Sequence, residues 1–233
     1  MTKRTIGILG GMGPEATILL QQRVMSAFPA AKDDADHIPL LIDMNPQVPS
    51  RIDYLINGQG ANPAPILAQM AKRLEKAGAR ALAMPCNTAH HFADAIRKAV
   101  DIPFIDMVSL SAKVASQQSK TGDKIGILAS PAVRMTGLFE HALGALERKT
   151  VWTDPDDHML QAIRLIKKDG PTQETTNILK KASDDLLVQG AEVQLVACSE
   201  FSLLNAMLQL ADRHIIDTID ILTQAVIETS LAD

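Results

Sequence analysis

The chain has 233 residues, 46% of them hydrophobic and 21% charged, with a formal net charge of -4. That balance is ordinary for a globular protein and includes no basic block to meet phosphate backbones or anionic lipid, while an aromatic share of 3% leaves few rings for nucleic-acid bases to stack on. No stretch approaches the roughly 18 consecutive apolar residues of a membrane span, and two cysteines 112 positions apart make no disulfide framework of a small secreted domain, so a cytoplasmic protein with reduced thiols is expected.

In chain order, short apolar runs predict strands at Thr5–Leu9, Ile38–Asp43, Ala81–Met84 and Phe104–Ile105, then at Lys124–Leu128, Thr150–Val151, Val193–Val196 and Ile215–Ile216. Helical periodicity runs through Glu15–Phe28, Pro65–Ala77, Ala89–Val100, Ala132–Leu146, Thr172–Gln189 and Leu203–Leu210. Pro14 suits a first helical position, and Gly78 and Gly190 suit helix ends. Strands alternating with helices predict βαβ crossovers and parallel sheets covered on both faces. Met44–Ala64, rich in Pro, Gly and Asn, and the Asp-rich Trp152–Asp157 read as irregular stretches that could wall or cover a site.

The two halves correspond in order. Thr5-Ile-Gly-Ile-Leu-Gly10 matches Lys124-Ile-Gly-Ile-Leu-Ala129 at an offset of 119, and Asp101-Ile-Pro-Phe-Ile-Asp106 matches Arg213-His-Ile-Ile-Asp217 near 111. Between them, the segment from Gly78 to Cys86 matches that from Gly190 to Cys198 at an offset of 112. Three matches in one order imply a duplicated unit. The expected fold class is α/β, with two similar, pseudo-symmetric domains, each a short parallel sheet flanked by helices, and an active-site cleft between them. The polar stretch Met107–Thr121 marks their boundary.

Each cysteine ends a strand and precedes a helix, the usual ligand position of an open α/β sheet. Two such thiols, delivered by two copies of one unit, suit proton removal on one face of a carbon and proton delivery on the other. A thiol acts as a base only as thiolate, which from an ordinary pKa of about 8.5 costs roughly 2 kcal/mol at neutral pH unless the site lowers it. Helix N-termini are expected to supply that help, and their N–H groups, with the Asn87 and Thr88 side chains, could grip a carboxylate. A lone free cysteine is ordinarily a buried packing residue; two at matched strand ends beside small polar residues favour chemistry.

Thr5-Ile-Gly-Ile-Leu-Gly-Gly-Met-Gly-Pro-Glu-Ala-Thr17, Pro85-Cys-Asn-Thr-Ala-His90 and Ala197-Cys-Ser-Glu200 resemble the aspartate/glutamate racemase family, most closely the aspartate racemases, over nearly the whole chain. The resemblance implies cofactor-independent racemisation of a dicarboxylic amino acid by Cys86 and Cys198, in a homodimer of the cytoplasm with no nucleic-acid or membrane partner and no metal. It implies that the helix closing each half joins the opposite domain, giving residues 1–106 plus 212–233 as the first and 107–211 as the second. By motif it assigns substrate contacts to Met12, Arg51, Asn87, Thr88, Ser130, Lys167 and Ser199, with Lys168 an alternative to Lys167 in the loop region Ile166–Gly170. Arg51 and Lys167 would meet the second carboxylate. Two positions depart from the family pattern: Ser199 replaces a threonine beside the second cysteine, and Val133 replaces a threonine after the fifth strand.

Other readings remain open on sequence. Gly11-Met-Gly-Pro-Glu-Ala16 nominally fits a dinucleotide fingerprint with Asp43 as the ribose acid, though Asp43 stands some 30 residues on rather than about 20. Cys86, His90 and His91 could be imagined around a metal, but His91 leaves the shared helical face. The same two-thiol cleft could serve glutamate or a broader range of amino acids, or isomerise or decarboxylate a diacid. A binding module that has lost turnover is the non-enzymatic alternative.

Overall fold

The structure, a computed structural model, describes residues 3–27, 31–153, 157–205 and 210–232. It divides into two compact units, Met1–Met107 with Ile219–Asp233, and Val108–Thr218.

Unit 1 holds β1 (Ile6–Gly10), α1 (Pro14–Ser26), β2 (Leu40–Met44), α2 (Arg51–Leu55), α3 (Ala64–Lys76), β3 (Ala81–Ala83), α4 (Ala93–Arg97) and β4 (Phe104–Ile105). Its four strands are parallel, in the order β2-β1-β3-β4. The chain continues through α5 (Met107–Gln117), β5 (Lys124–Leu128), α6 (Pro131–Thr136), α7 (Leu138–Gly144), β6 (Lys149–Trp152), α8 (Asp157–Asp169), α9 (Gln173–Val188), β7 (Val193–Val196), α10 (Ser199–Ser202), β8 (His214–Asp217) and α11 (Thr218–Leu231). The second sheet is also parallel, in the order β6-β5-β7-β8. The two sheets therefore share one topology, as the duplicated sequence requires.

The repeat extends to packing. Gly7 and Gly126 occupy the same register, each on the central strand of its sheet. A methyl group on Gly7 would lie 2.8 Å from Leu82 Cδ2 and 3.2 Å from Leu74 Cβ; on Gly126 it would lie 2.9 Å from Leu186 Cδ1. Both units use the missing side chain to bring a helix, α3 or α9, close against the sheet. In each unit that helix joins the apolar core with the central strands, Leu67, Met70 and Leu74 in one and Leu179, Ala182 and Leu186 in the other.

The domain boundary differs from the sequence expectation at residue 212. β8 pairs in register with β7, Ile215 opposite Gln194 and Ile216 opposite Leu195, so the return to unit 1 begins at Ile219. There Arg4 N–H donates to the Ser230 carbonyl (2.8 Å), Ser230 Oγ–H donates to the Arg4 carbonyl (2.7 Å), and Arg23 pairs with Asp220 (2.9 Å). Unit 2 in turn includes most of α5: Arg148 donates to Ser119 Oγ and to the carbonyls of Ser116 and Ser119 at 2.8–2.9 Å.

Four helical expectations change. The periodic run Ala132–Leu146 is broken by Gly137, whose φ of +65 ends α6 and starts α7. Ala89–Val100 is a 3-10 turn over Thr88–Phe92 followed by the short α4. Asp157–Asp169 is a helix, with Met159, Ala162, Ile163 and Ile166 buried along one stripe, so Lys167 and Lys168 stand in its last turn and not in a loop. The run expected over Leu203–Leu210 gives turns at 203–205, and residues 206–209 lie outside the described set, as do Phe28 and residues 154–156.

Candidate active site

Each unit gathers its candidate residues at the carboxyl ends of its strands. In unit 1 the β1–α1 turn is set by Gly11, at φ +91, where a side chain would strike the Asn45 backbone at 2.4–2.7 Å. Thr17 braces the turn, its Oγ1 accepting Gly11 N–H (3.0 Å) and donating to the Gly13 carbonyl (3.2 Å). Met12 is thereby buried in one apolar cluster with Val48 and Cys86. The Asp43 carboxylate is held by Arg73 of α3 at 2.7 and 3.0 Å, which occupies the acid a dinucleotide ribose would need.

The stretch after β2 is less irregular than its composition implies. Ser50 Oγ accepts Asp53 N–H (3.1 Å) and caps α2, placing Arg51 at its first position. Arg51 Nη1 donates back to the carbonyls of Val48 (3.3 Å) and Pro49 (3.1 Å). Its buried Nε has no hydrogen-bond partner among the described residues. A buried guanidinium donor left over after the fork is partly anchored is a ready contact for an anion.

Cys86 lies just beyond β3, after Met84 and Pro85, 7% exposed, with Asn87 buried and Thr88 half-buried beside it. His90 pins this loop. Its Nε2 accepts Met107 N–H (3.2 Å), which leaves the proton on Nδ1 to be donated to the Cys86 carbonyl (2.8 Å). Burial lowers the His90 pKa, outweighing the opposing charge of Asp106. Both ring nitrogens are thus committed to backbone groups, which leaves neither for a metal.

In unit 2, Ser130 caps α6, its Oγ accepting Val133 N–H (3.3 Å), with Val133 fully enclosed. Cys198 follows β7, 8% exposed and packed in one cluster with Ile166 of α8 and Phe201. Its Sγ–H donates to Glu200 Oε2 (3.0 Å), which also lies 3.4 Å from Ser199 Oγ. The other carboxylate oxygen, Oε1, pairs with Lys167 Nζ at 3.1 Å. Lys168, 79% exposed at its side chain, reaches Asp169 at 3.9 Å. Of the two lysines, Lys167 is the one linked to the thiol, through Glu200.

The electrostatics at Cys198 run against the sequence expectation. Burial, and then the Glu200 charge, push this thiol well above the ordinary cysteine range. Burial also raises the Glu200 carboxyl, but Lys167 and the hydrogen bonds from Cys198 and Lys167 outweigh it and leave the group lowered. The helices after the cysteines are a five-residue 3-10 turn and the four-residue α10, too short to sum a sizeable macrodipole. Glu200 is the residue that sequence reasoning passed over: its proximity to Cys198 is visible in Cys-Ser-Glu, whereas Lys167, 33 positions earlier, meets it only through the packing of α8.

The family model for Asp/Glu/hydantoin racemases matches residues 9–226. The chain is 27% identical to the broad specificity amino-acid racemase RacX of Bacillus subtilis (strain 168), over 97% of this chain and 98% of that one. In structure it resembles the Picrophilus torridus aspartate racemase, with a TM-score of 0.86 and 24% identity over 97% of this chain and 94% of the other. It also resembles the glutamate racemase of Francisella tularensis subsp. tularensis SCHU S4 in complex with D-glutamate, with a TM-score of 0.67 and 17% identity over 97% and 80% of the two chains. The last two likenesses concern the fold.

Proposed function

Because this chain belongs to the Asp/Glu/hydantoin racemase family, and is on that ground an amino-acid racemase, we propose that it interconverts L- and D-aspartate without a cofactor, using Cys86 and Cys198 as the two proton-transfer groups. The observation that carries the reading is positional. In two sheets of identical strand order, a buried thiol follows the third strand, β3 or β7, at the same point of the repeat.

In the forward direction the Cys86 thiolate takes the α-hydrogen as a proton, the Cα–H electron pair stays on the substrate as a carbanion, and the Cys198 S–H delivers its proton to the opposite face. The S–H gained at one sulfur balances the S–H lost at the other. The mirror-image substrate runs with the roles exchanged. An α-proton beside an ionised carboxylate is very weakly acidic, so the carbanion must be stabilised by fixed donors in a site shielded from water. Asn87, Thr88, Ser130 and Ser199, small polar residues at strand ends, are assigned to the substrate's amino and carboxylate groups, with Met12 lining the site. Arg51 is assigned to the second carboxylate, because its buried Nε is uncommitted among the described residues.

The similarity to RacX supports a second reading, a racemase of broader range, in which the apolar Val133 beside the Ser130 cap accepts side chains other than a carboxylate. The reading includes a homodimer in the cytoplasm; among the described residues no helix is long and apolar enough to cross a membrane. Incubation with single enantiomers of aspartate, glutamate and several neutral amino acids, followed by chiral chromatography, separates the two. Aspartate racemised well ahead of the rest is the expected result. Equal rates on neutral amino acids would replace it with the broader reading, and no racemisation of any of them would remove both.

A further inference from the structure

We infer that Glu200 is a positioning residue that keeps the proton on Cys198, with Lys167 the counter-charge that holds its carboxylate and tempers that grip, so that the resting enzyme presents this sulfur as its proton donor. The inference deepens the two-thiol reading and rests on it for its catalytic meaning, but the geometry lies entirely within unit 2. Both oxygens of one buried carboxylate are used, Oε2 by the Cys198 thiol at 3.0 Å and Oε1 by the Lys167 ammonium at 3.1 Å. An ionised carboxylate only accepts hydrogen bonds, so the hydrogen in the Sγ–Oε2 contact belongs to sulfur. A thiolate in the same place would face the carboxylate with like charge at contact distance, inside an apolar cluster that includes Ile166 and Phe201.

Lys167 makes this arrangement stable. It balances the buried Glu200 charge, so the carboxylate stays ionised and remains an acceptor, and its own positive charge partly offsets the pull of Glu200 on the Cys198 proton. The charged groups acting on Cys198 are Glu200 of α10 and Lys167 of α8, of opposite sign and unequal distance, and the nearer one favours the thiol. The lysine that the family motif directs to the substrate's side chain is here assigned through Glu200 to the state of a sulfur.

The consequence is an asymmetry between enantiomers. The one protonated by Cys198 meets the resting enzyme ready. The one whose α-proton Cys198 must remove needs a thiolate there. Because the two enantiomers are equal in energy, kcat/KM stays equal for both at every pH. The asymmetry is read as a lower KM and a lower kcat for the enantiomer that the resting form accepts.

The chain has two cysteines, so Cys86→Ser leaves Cys198 as the sole thiol, and its ionisation can be followed by thiolate ultraviolet absorbance against pH, independently of turnover. In that background Glu200→Gln is expected to lower the titration midpoint, and Lys167→Met to raise it, each by about one pH unit or more. Glu200→Asp and Lys167→Arg, which retain the charges, are expected to stay close to the parent. A midpoint unmoved by Glu200→Gln overturns the inference, and so does one lowered by Lys167→Met; should either variant fail to fold by circular dichroism, the other carries the decision. Failure of the two-thiol reading is seen separately, as racemisation that survives Cys86→Ser at the parental rate.

Discussion

His90 and Ser202 hold the same place in the two units, four residues beyond the thiol, and each fastens its loop to the end of the last strand of its sheet. His90 does so by accepting Met107 N–H just after β4, while Ser202 Oγ–H donates to Asp217 Oδ1 (2.8 Å) at the end of β8. Both contacts are buried. The repeat has kept the brace and changed its chemistry, an imidazole in one unit and a hydroxyl paired with a carboxylate in the other.

That difference predicts a pH dependence of stability. His90 has a folded pKa below its ordinary 6.5, chiefly through burial. Neutral His90 therefore contributes its full stabilisation above pH 6.5, and the contribution is lost as pH falls through the folded value, because the unfolded chain takes up the proton first. Thermal melts from neutral to acid pH should show this slope in the parent, and His90→Gln should lack that component. At neutral pH His90→Leu, which strands the Cys86 carbonyl and the Met107 N–H, should cost about 3 kcal/mol by denaturant titration.

The proton-transfer assignment predicts that Cys86→Ala and Cys198→Ala each lower racemisation by about two to four orders of magnitude. Polarimetry gives the rate, and exchange of the α-hydrogen in deuterated water shows which half-reaction fails. A parental rate in either variant would refute the assignment.

Arg51→Met should raise KM for aspartate about 10- to 100-fold, with little change for neutral amino acids. Because Arg51 also donates to the Val48 and Pro49 carbonyls, Arg51→Lys should recover only part of the loss. Equal effects on charged and neutral substrates would assign the residue to loop structure alone.

Gly11→Ala should destabilise the protein by at least about 2 kcal/mol, since the added methyl meets Asn45 backbone atoms and the positive φ is strained for an L-residue. Gly78→Ala, also at positive φ but with open space around it, should cost less. Paired urea titrations decide between the two.

Much of the fold was legible because strands here are short apolar runs with turn residues on either side. Phe104–Ile105, Lys124–Leu128 and Val193–Val196 fall where the sequence placed them, and both sheets keep the duplicated order. The misses have local causes. Met159, Ala162, Ile163 and Ile166 carry a clear helical stripe, but the Lys-Lys-Asp-Gly end of that stretch reads as a loop. Gly137 lies inside an uninterrupted periodic run, and only its left-handed backbone divides that run. The return at Ile219 was obscured because α11 begins directly at the end of β8, with no punctuating residue between them. Among the candidate residues, the cysteines stand out by matched spacing, and Arg51 is assigned by motif alone. The link from Lys167 to Glu200 depends on how α8 lies against α10, which no spacing in one chain encodes.

Unit 2 is one uninterrupted stretch, Val108–Thr218, whereas unit 1 is completed by Ile219–Asp233. As the polypeptide leaves the ribosome, unit 2 therefore has all its parts before unit 1 does. Unit 1 must wait for α11 to emerge before Arg4 and Arg23 find Ser230 and Asp220. Order of synthesis and order of completion are reversed in this molecule.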